Sequence, residues 1–459
     1  MKSSHSIPLV GYLLCCFAAT AAPDSRPPVP NRFDLNTAIA FALENNFAIR
    51  RARERIREQE GIVTTVTAAA LPNVSAAGSY QHSGVQSVAT GSSGVPLFIA
   101  KGPSWRMSLT ASQTVFAGGG VRASIRGAEM EREAATLDLQ AVVNEALLDV
   151  RTRFYDVLLA REQIKVQEQN LELLQSQLSY ATQRAQAGTI SAFERLRAEV
   201  AVANAKPPLI RSRNNLRIAI EELRQAIGFR AEKLGTGGEV PEFMGTLSFE
   251  PVSFELAAAM AAAQADRPDL RRLEKLAAAQ REGITVARSR YYPSLALGAG
   301  GDLRKGPTTS FGDSIKGLRG FAQSRLEVNP RATSGAIMQA GSQAEQAGLT
   351  ESEARLAAEV EVRRAFFAIE RASELVGAMQ KTVGQAEEAV RLATMRFEAG
   401  VATQLDVLVA QLELTTARTS QLQAFHGHNV AVAQLRKAIG VSEVDYANAA
   451  APAQTTRAP

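Results

Sequence analysis

The sequence contains little cysteine and few aromatic residues. Of its 459 residues, two are cysteines, Cys15 and Cys16, and 6% are aromatic. Both cysteines lie in an N-terminal segment with a positive Lys2, an apolar run and a small-residue cleavage site, which predicts a secretory signal peptide over residues 1–21. Its removal would leave no cysteine and would exclude a disulfide framework. Lipid attachment at Cys16 stays an alternative, although the residues before it match poorly those of lipidated cysteines.

Long apolar runs and clustered charges are also missing. After residue 21 no segment has about 18 consecutive apolar residues, so we expect no transmembrane helix, and any membrane span must consist of strands. The net charge of +5 is spread along predicted helices, which argues against nucleic-acid binding. We find no nucleophile–base arrangement or metal-ligand cluster, and therefore expect no enzyme activity, cofactor or metal. His426 and His428, two residues apart on a helix, make a poor metal pair.

Two internal repeats organise the chain. Residues 33–39 align with 254–260 at an offset of 221, and residues 150–228 align with 362–440 without gaps at an offset of 212. Such a long ungapped match predicts two equivalent units. The predicted division is a first repeat (33–228), a linker (229–253), a second repeat (254–440) and a disordered tail (441–459).

Each repeat contains a segment with the two-residue period of a strand. Residues 105–115 alternate between apolar and polar side chains, which predicts a strand with one face toward lipid, and residues 73–81 are its predicted partner. In the second repeat the weaker equivalents are 293–300 and 320–328. The predicted lipid-facing residues are Trp105, Met107, Leu109 and Val115.

Long helices surround these strands. A first helix is predicted over 36–70, because Pro72 cannot continue it. Apolar residues then recur at alternating spacings of three and four over 120–186, which is a coiled-coil pattern. A helix of that length would be a rod of about 100 Å.

A returning helix is predicted over 191–227, after a bend at Gly188, and Gly400 marks the second bend. Within the returning helix, Pro207 and Pro208 predict a kink or an interruption. Gly118–Gly120, which precedes the outgoing helix, lacks the lysine and the βαβ setting of a phosphate loop and is better explained as a strand-to-helix turn.

The predicted fold is mainly helical with a small β part of four strands per chain. Strands of nine to eleven residues suit a bilayer core of about 30 Å, but the smallest common barrels need about eight strands. Because lipid forbids unpaired strand edges, the chain must share a barrel with copies of itself.

Four segments resemble the TolC family of outer-membrane efflux proteins, and the resemblance covers nearly the whole predicted mature chain. They are residues 42–46, 71–72, 115–119 and 396–408. The resemblance implies a homotrimer in the outer membrane of a Gram-negative bacterium, with one 12-stranded barrel continued by a long α-helical barrel in the periplasm. It also implies a passive conduit for efflux or type I secretion, served by a periplasmic adaptor and an inner-membrane pump.

The same resemblance assigns residues to the periplasmic end. Asp406, with Glu194 as its first-repeat counterpart, corresponds to the carboxylate ring of the closed pore aperture in some members, whereas Val409 departs from a second acidic ring. Asp406 equally fits the acid of a helix N-terminal turn, and the arginines fit ordinary solvated or i,i+4 pairing. The residues assigned to the tip and to adaptor contact are Gly188, Gly400, Arg184, Arg396, Thr403 and Leu405.

Two rival functions stay open at this point. One is a periplasmic coiled-coil scaffold or adaptor without a membrane span. The other is an enzyme on a helical scaffold, which would need a pocket of converging polar groups that the repeats do not suggest.

Overall fold

The computed structural model describes residues 32–84, 88–90, 96–98, 102–229, 242–305 and 315–440. The predicted signal peptide with Cys16, residues 230–241 of the predicted linker and the predicted disordered tail lie outside the described residues. The mainly helical fold with a small β part is confirmed. Among the helices of the described ranges, none is both long and apolar enough to cross a membrane.

Both halves of the chain contain two short helices, a strand pair and two long helices, in that order. The elements of the first half are β1 (Arg32–Phe33), α1 (Leu35–Asn45), α2 (Phe47–Ala68), β2 (Asn73–Ser83), β3 (Val88–Thr90), β4 (Pro96–Phe98), β5 (Gly102–Ala117), α3 (Gly120–Gln186) and α4 (Ala192–Ile227). Those of the second half are β6 (Glu242–Phe243), α5 (Leu256–Asp266), α6 (Pro268–Arg288), a 3-10 turn (Ser289–Tyr291), β7 (Ser294–Lys305), β8 (Ile315–Arg325), α7 (Pro330–Glu398) and α8 (Gln404–Ile439).

The first predicted helix is two helices, so the prediction of one continuous helix is wrong. Asn46 breaks it, with an extended backbone at φ −59° and ψ 130°. Its side-chain Oδ1 accepts hydrogen bonds from the backbone N–H groups of Ala48 (2.8 Å) and Ile49 (3.2 Å), which caps α2. Its Nδ2 donates to the carbonyl oxygen of Ala226 at 2.7 Å. Asn46 therefore begins one helix and holds the C-terminal end of another.

Arg267 occupies the equivalent position in the second half, 221 residues after Asn46. Its Nη1 donates to the carbonyl oxygen of Ala438 at 3.1 Å, at the end of α8. The same guanidinium forms 2.7 Å ion pairs with Asp269 and Glu361. The two halves thus make the same helix-to-helix connection with different chemistry.

The long helices form two antiparallel pairs, α3 with α4 and α7 with α8. At the predicted coiled-coil seam Leu174 is buried, with Leu171 and Leu178 packed beside it. Helix α3 also packs on α6, which joins the two halves. A core around Val150, Phe154 and other apolar side chains anchors the end of α3–α4 that faces α1.

Pro207 and Pro208 do not interrupt α4, so the alternative of an interrupted helix is wrong. Proline removes the hydrogen bond to the carbonyl four residues earlier, but here those carbonyls belong to residues 203 and 204, which are exposed to solvent. Ala205 and Leu209 on either side are buried, and Ala205 shares a core cluster with Leu174 of α3. Packing therefore holds the helix across the two prolines.

The main sheet has the order β2-β5-β7-β8, and each neighbouring pair is antiparallel. Strand β8 spans 315–325, so the predicted position of 320–328 is wrong by several residues at each end. Its glycines at 317 and 320 blur the apolar–polar alternation that locates a strand. A bulge falls at Val115, because Thr114 is opposite Ala296 whereas Phe116 is opposite Leu295.

Candidate functional site

One face of the sheet is apolar and exposed. Leu109 lies opposite Ala76 on β2 and Gly301 on β7, and its side chain is 57% exposed. Small partners on both sides leave this leucine prominent on the surface. Other apolar side chains of the same face are Val74, Tyr80, Met107, Leu297, Leu303 and Leu318.

The four residues predicted to face lipid belong to this region of β5. Trp105 lies opposite Tyr80 and is partly exposed, while Met107 is 61% exposed. Val115 is exposed at the bulge, and Phe116 takes the next paired position on the apolar face. The contact of these residues with lipid stays a prediction.

The opposite face of the sheet is polar and carries charges that the sequence patterns did not reveal. Arg106 lies directly opposite Ser79 on β2 and Arg304 on β7. One pleat further, Asp302 forms a 3.6 Å ion pair with Arg319 of β8. Because β7 and β8 alternate weakly, these three charges could be assigned to a face only once the strand register was known.

The predicted helix bends lie at Gly188 and Gly400. Both have left-handed backbones, with φ of +73° and +77°. A Cβ added at either residue would meet nothing within 4 Å, so conformation rather than space selects glycine here.

Each bend is followed by a capping box at the start of the returning helix. Ser191 caps α4 with Glu194 as its partner, and Thr403 caps α8 with Asp406. The Asp406 Oδ2 accepts from the Thr403 backbone N–H and hydroxyl, both at 2.8 Å. These bonds, the backbone one first, and more weakly the charge of Arg396 keep the pKa of Asp406 below its ordinary value. Asp406 is therefore an ionised helix-terminus acid, as the alternative interpretation states, and its role at a pore stays a prediction.

Arg184 connects the two tips. Its guanidinium carbon lies 5.6 Å from the ring centre of Tyr180 and 6.0 Å from that of Phe397, and its Nε donates to the Thr189 hydroxyl at 3.4 Å. Phe397 precedes the second bend, so the arginine packs across from one repeat to the other. Nearby Leu405 is 39% exposed, and its contact with an adaptor stays a prediction.

Comparison with known proteins assigns the family. The sequence profile described as "Outer membrane efflux protein" matches residues 38–229 and 259–441, well over half of the chain. The chain belongs to the outer membrane efflux protein family.

Individual relatives agree with this family. Nodulation protein T of Rhizobium leguminosarum bv. trifolii is 23% identical over 427 residues, which cover 88% of this chain and 85% of the relative. The solved structure of the CmeC outer membrane channel of Campylobacter jejuni has a TM-score of 0.75 at 15% identity and covers 98% of this chain and 97% of its own. VceC of Vibrio cholerae gives a TM-score of 0.74 at 17% identity, with 88% and 96% covered. At these identities the two structures show a shared fold.

Members of the outer membrane efflux protein family are homotrimeric outer-membrane channels of efflux and secretion systems in Gram-negative bacteria. The chain is an outer-membrane channel of this kind, and the resemblance to TolC proteins is confirmed. The family consists of channel proteins rather than enzymes. The channel function replaces the alternative of a periplasmic scaffold or adaptor.

Two histidines of this efflux protein occupy separate environments. His426 Nε2 lies 2.8 Å from the Asp156 carboxylate. His428 is buried, with its ring 4.6 Å from that of Phe249, and burial lowers its pKa. Within the described ranges, no group of three or more His, Cys, Asp or Glu residues is placed to hold a metal.

Proposed function

We propose that three copies of this chain form one passive duct through which cargo crosses the periplasm and the outer membrane. The supporting observation is the sheet, which has an exposed apolar face and two open edges. Its edge strands, β2 and β8, each pair with a described strand on one side only. Open strand edges are not tolerated in lipid, whereas twelve strands from three such sheets would close a barrel. In this assembly the paired long helices continue the duct into the periplasm.

The repeats specify the register in which neighbouring sheets would join. Strands β2 and β7 hold equivalent places in their hairpins, as do β5 and β8, since Asn73 pairs with Ser112 and Ser294 with Arg325. Strand β5 already pairs with β7 inside the chain, so β8 should pair with β2 of the next copy in the same manner. By this correspondence Ala322 of β8 is the counterpart of Leu109, and Tyr80 of β2 is the counterpart of Gly301. Because Leu109 lies opposite Gly301, Ala322 should lie opposite Tyr80 of the partner subunit.

Cysteine cross-linking tests this register. The sequence has no cysteine after Cys16, so no native cysteine of the later chain can form a disulfide with the introduced pairs. Residues opposite each other on antiparallel strands have Cα atoms about 4.5–5.5 Å apart, within disulfide range. Ala322→Cys combined with Tyr80→Cys should therefore give covalent trimers under oxidation.

The matched control shifts one cysteine by a single residue, combining Ala322→Cys with Ser79→Cys. Ser79 points to the other face of the sheet, so this pair should cross-link poorly. Efficient cross-linking of the control, or none by either pair, would contradict the proposed barrel.

Asp406 and Glu194 are the proposed aperture acids of this duct. Three copies of an ionised carboxylate at one level of a pore attract cations and repel anions. Asp406→Asn retains an oxygen for the Thr403 cap but removes the charge, so single-channel conductance or cation preference in planar bilayers should fall. Currents equal to those of the wild type would leave Asp406 with its helix-capping role alone.

The helix bends are the proposed contact with a periplasmic adaptor, which links the duct to an inner-membrane pump. Next to the bends, the apolar side chains of Phe193 and Val401 are 69% and 67% exposed, so both are accessible to a partner protein. Val401→Asp should therefore weaken cross-linking between this tip and the adaptor of the same export system, while trimer yield and conductance stay normal. Unchanged cross-linking would exclude this tip as the contact.

A further inference from the structure

The polar face of the four-stranded sheet is strongly basic. Four arginines and one aspartate are its charged residues within the described parts of β2, β5, β7 and β8, which leaves a net charge of three per chain. The apolar face at the same height carries leucine, methionine, tryptophan and tyrosine, and two lysines, Lys305 and Lys316. The charged residues of the polar face are Arg106, Asp302, Arg304, Arg319 and Arg325.

The arrangement of these charges is unfavourable without a ligand. Arg106 and Arg304 lie directly opposite each other on adjacent strands, where Cβ atoms are about 5 Å apart and like charges repel. The carboxylate of Asp302, one pleat away, is already engaged by Arg319 at 3.6 Å. Ser79, the third member of the Arg106 row, contributes no charge. The pair therefore concentrates positive charge at one level of the sheet.

The position of the pair along the sheet defines where it would act. The helical part begins beyond Ala117, at one end of β5, whereas Arg106 lies near the other end, four residues after Gly102. In a barrel the apolar face meets lipid and the polar face lines the lumen. In the trimeric duct proposed above, three Arg106–Arg304 pairs would form a basic ring near the exit.

We infer that this ring binds oxyanions and makes the outer end of the channel selective for anionic permeants, those bearing carboxylate, sulfate or phosphate groups. Paired guanidinium groups suit these ligands, because each presents several N–H donors in a plane that matches two oxygens of the anion. A pore wall of low dielectric constant strengthens the field of the ring and raises the local anion concentration. The inference rests on the proposed duct, since only a closed barrel turns this face into a lumen.

Planar bilayers containing the full-length trimer test the inference through the reversal potential in a KCl gradient. The double variant Arg106→Gln with Arg304→Gln removes the ring and its internal repulsion, so it should assemble normally. Its chloride-to-potassium permeability ratio should fall at least about twofold relative to the wild type. The matched control is Lys316→Gln, which removes a positive charge at nearly the same height but from the apolar face.

Inorganic phosphate provides a second, independent measurement. Added at the outer side, it should reduce chloride current through the wild-type channel and have a smaller effect on the double variant. The basic ring would be overturned if the wild type and the double variant had the same ion selectivity and the same response to phosphate. It would also be overturned if Lys316→Gln changed both properties as much as the double variant does. Either result would leave the proposed duct intact. Failure of the wild-type trimer to conduct would instead overturn the proposed duct.

Discussion

Asn46 is the residue whose replacement should most clearly weaken the first half of the chain. It is buried, and its side chain makes three hydrogen bonds, two that cap α2 and one to the Ala226 carbonyl. Loss of a helix cap costs about 1 kcal/mol. A buried carbonyl that loses its donor costs about 1–3 kcal/mol more. Asn46→Ala should therefore destabilise the first half by about 2–4 kcal/mol.

Thermal unfolding of the detergent-solubilised protein, followed by helical circular dichroism at a fixed scan rate, measures this loss. One kcal/mol shifts the Tm of a unit of 150–250 residues by about 2–4 °C, so we expect the Tm to decrease by about 4–16 °C. Asn46→Ser keeps an acceptor for the cap of α2 but loses the donor to the Ala226 carbonyl. Its Tm should therefore lie between those of Asn46→Ala and the wild type. The control is Glu44→Ala at an exposed position of α1. A Tm for Asn46→Ala equal to that of the control would refute the reasoning.

Other substitutions test the sheet, the helix bends and the ion pairs. Leu109→Arg should lower the trimer yield, because a guanidinium on the lipid face costs about 2–4 kcal/mol at mid-membrane. Ser108→Arg, on the polar face, should assemble normally. Equal yields of the two variants would contradict the assignment of the lipid-facing side. Gly400→Ala places a Cβ at φ +77° and should lower the Tm, at a cost of about 1–2 kcal/mol. Gly377→Ala, within α7, should instead raise the Tm, because alanine favours a helix more than glycine does. Tm changes in the same direction for both glycine variants would contradict the argument from backbone conformation. Burial acts to raise the pKa of Glu361, but hydrogen bonds from its two basic partners hold it below 4.5. The stability that this carboxylate contributes should therefore be present at neutral pH and lost as the pH falls below about 4.5, and Glu361→Gln should abolish that part of the acid dependence.

Elements with long, regular patterns could be predicted from the sequence. Helix α3 spans Gly120–Gln186 as its coiled-coil spacing indicates, and α4 begins at Ala192, one residue from the predicted start. Strand β5 contains the alternating residues 105–115 and extends a few residues beyond them. A periodic signal over many turns, or a clean alternation over eleven residues, averages out local exceptions.

Features set by distant contacts could not be predicted in this way. The break at Asn46 falls inside continuous helical periodicity, and its partner Ala226 is 180 residues away in the sequence. Polar Asn46 before Phe47 is a possible N-cap signal, and Pro268 at the first position of α6 is the clearer one in the second half. The basic pair of the sheet required the register of β5 against β7, which no local pattern contains.

The equivalent positions of Asn46 and Arg267 show how the repeats can diverge while the fold is retained. The task at both is to supply a donor to a carbonyl at the end of a returning helix, and an amide or a guanidinium does this equally well. The larger guanidinium brings charge, which is balanced by Asp269 and Glu361. The amide needs no such partners. The space around the donor is the same in both halves, because a Cβ at Gly228 would collide with the backbone of Asn45 and a Cβ at Gly440 with the backbone of Arg267. Both repeats therefore keep a glycine at this close approach while the donor itself changes.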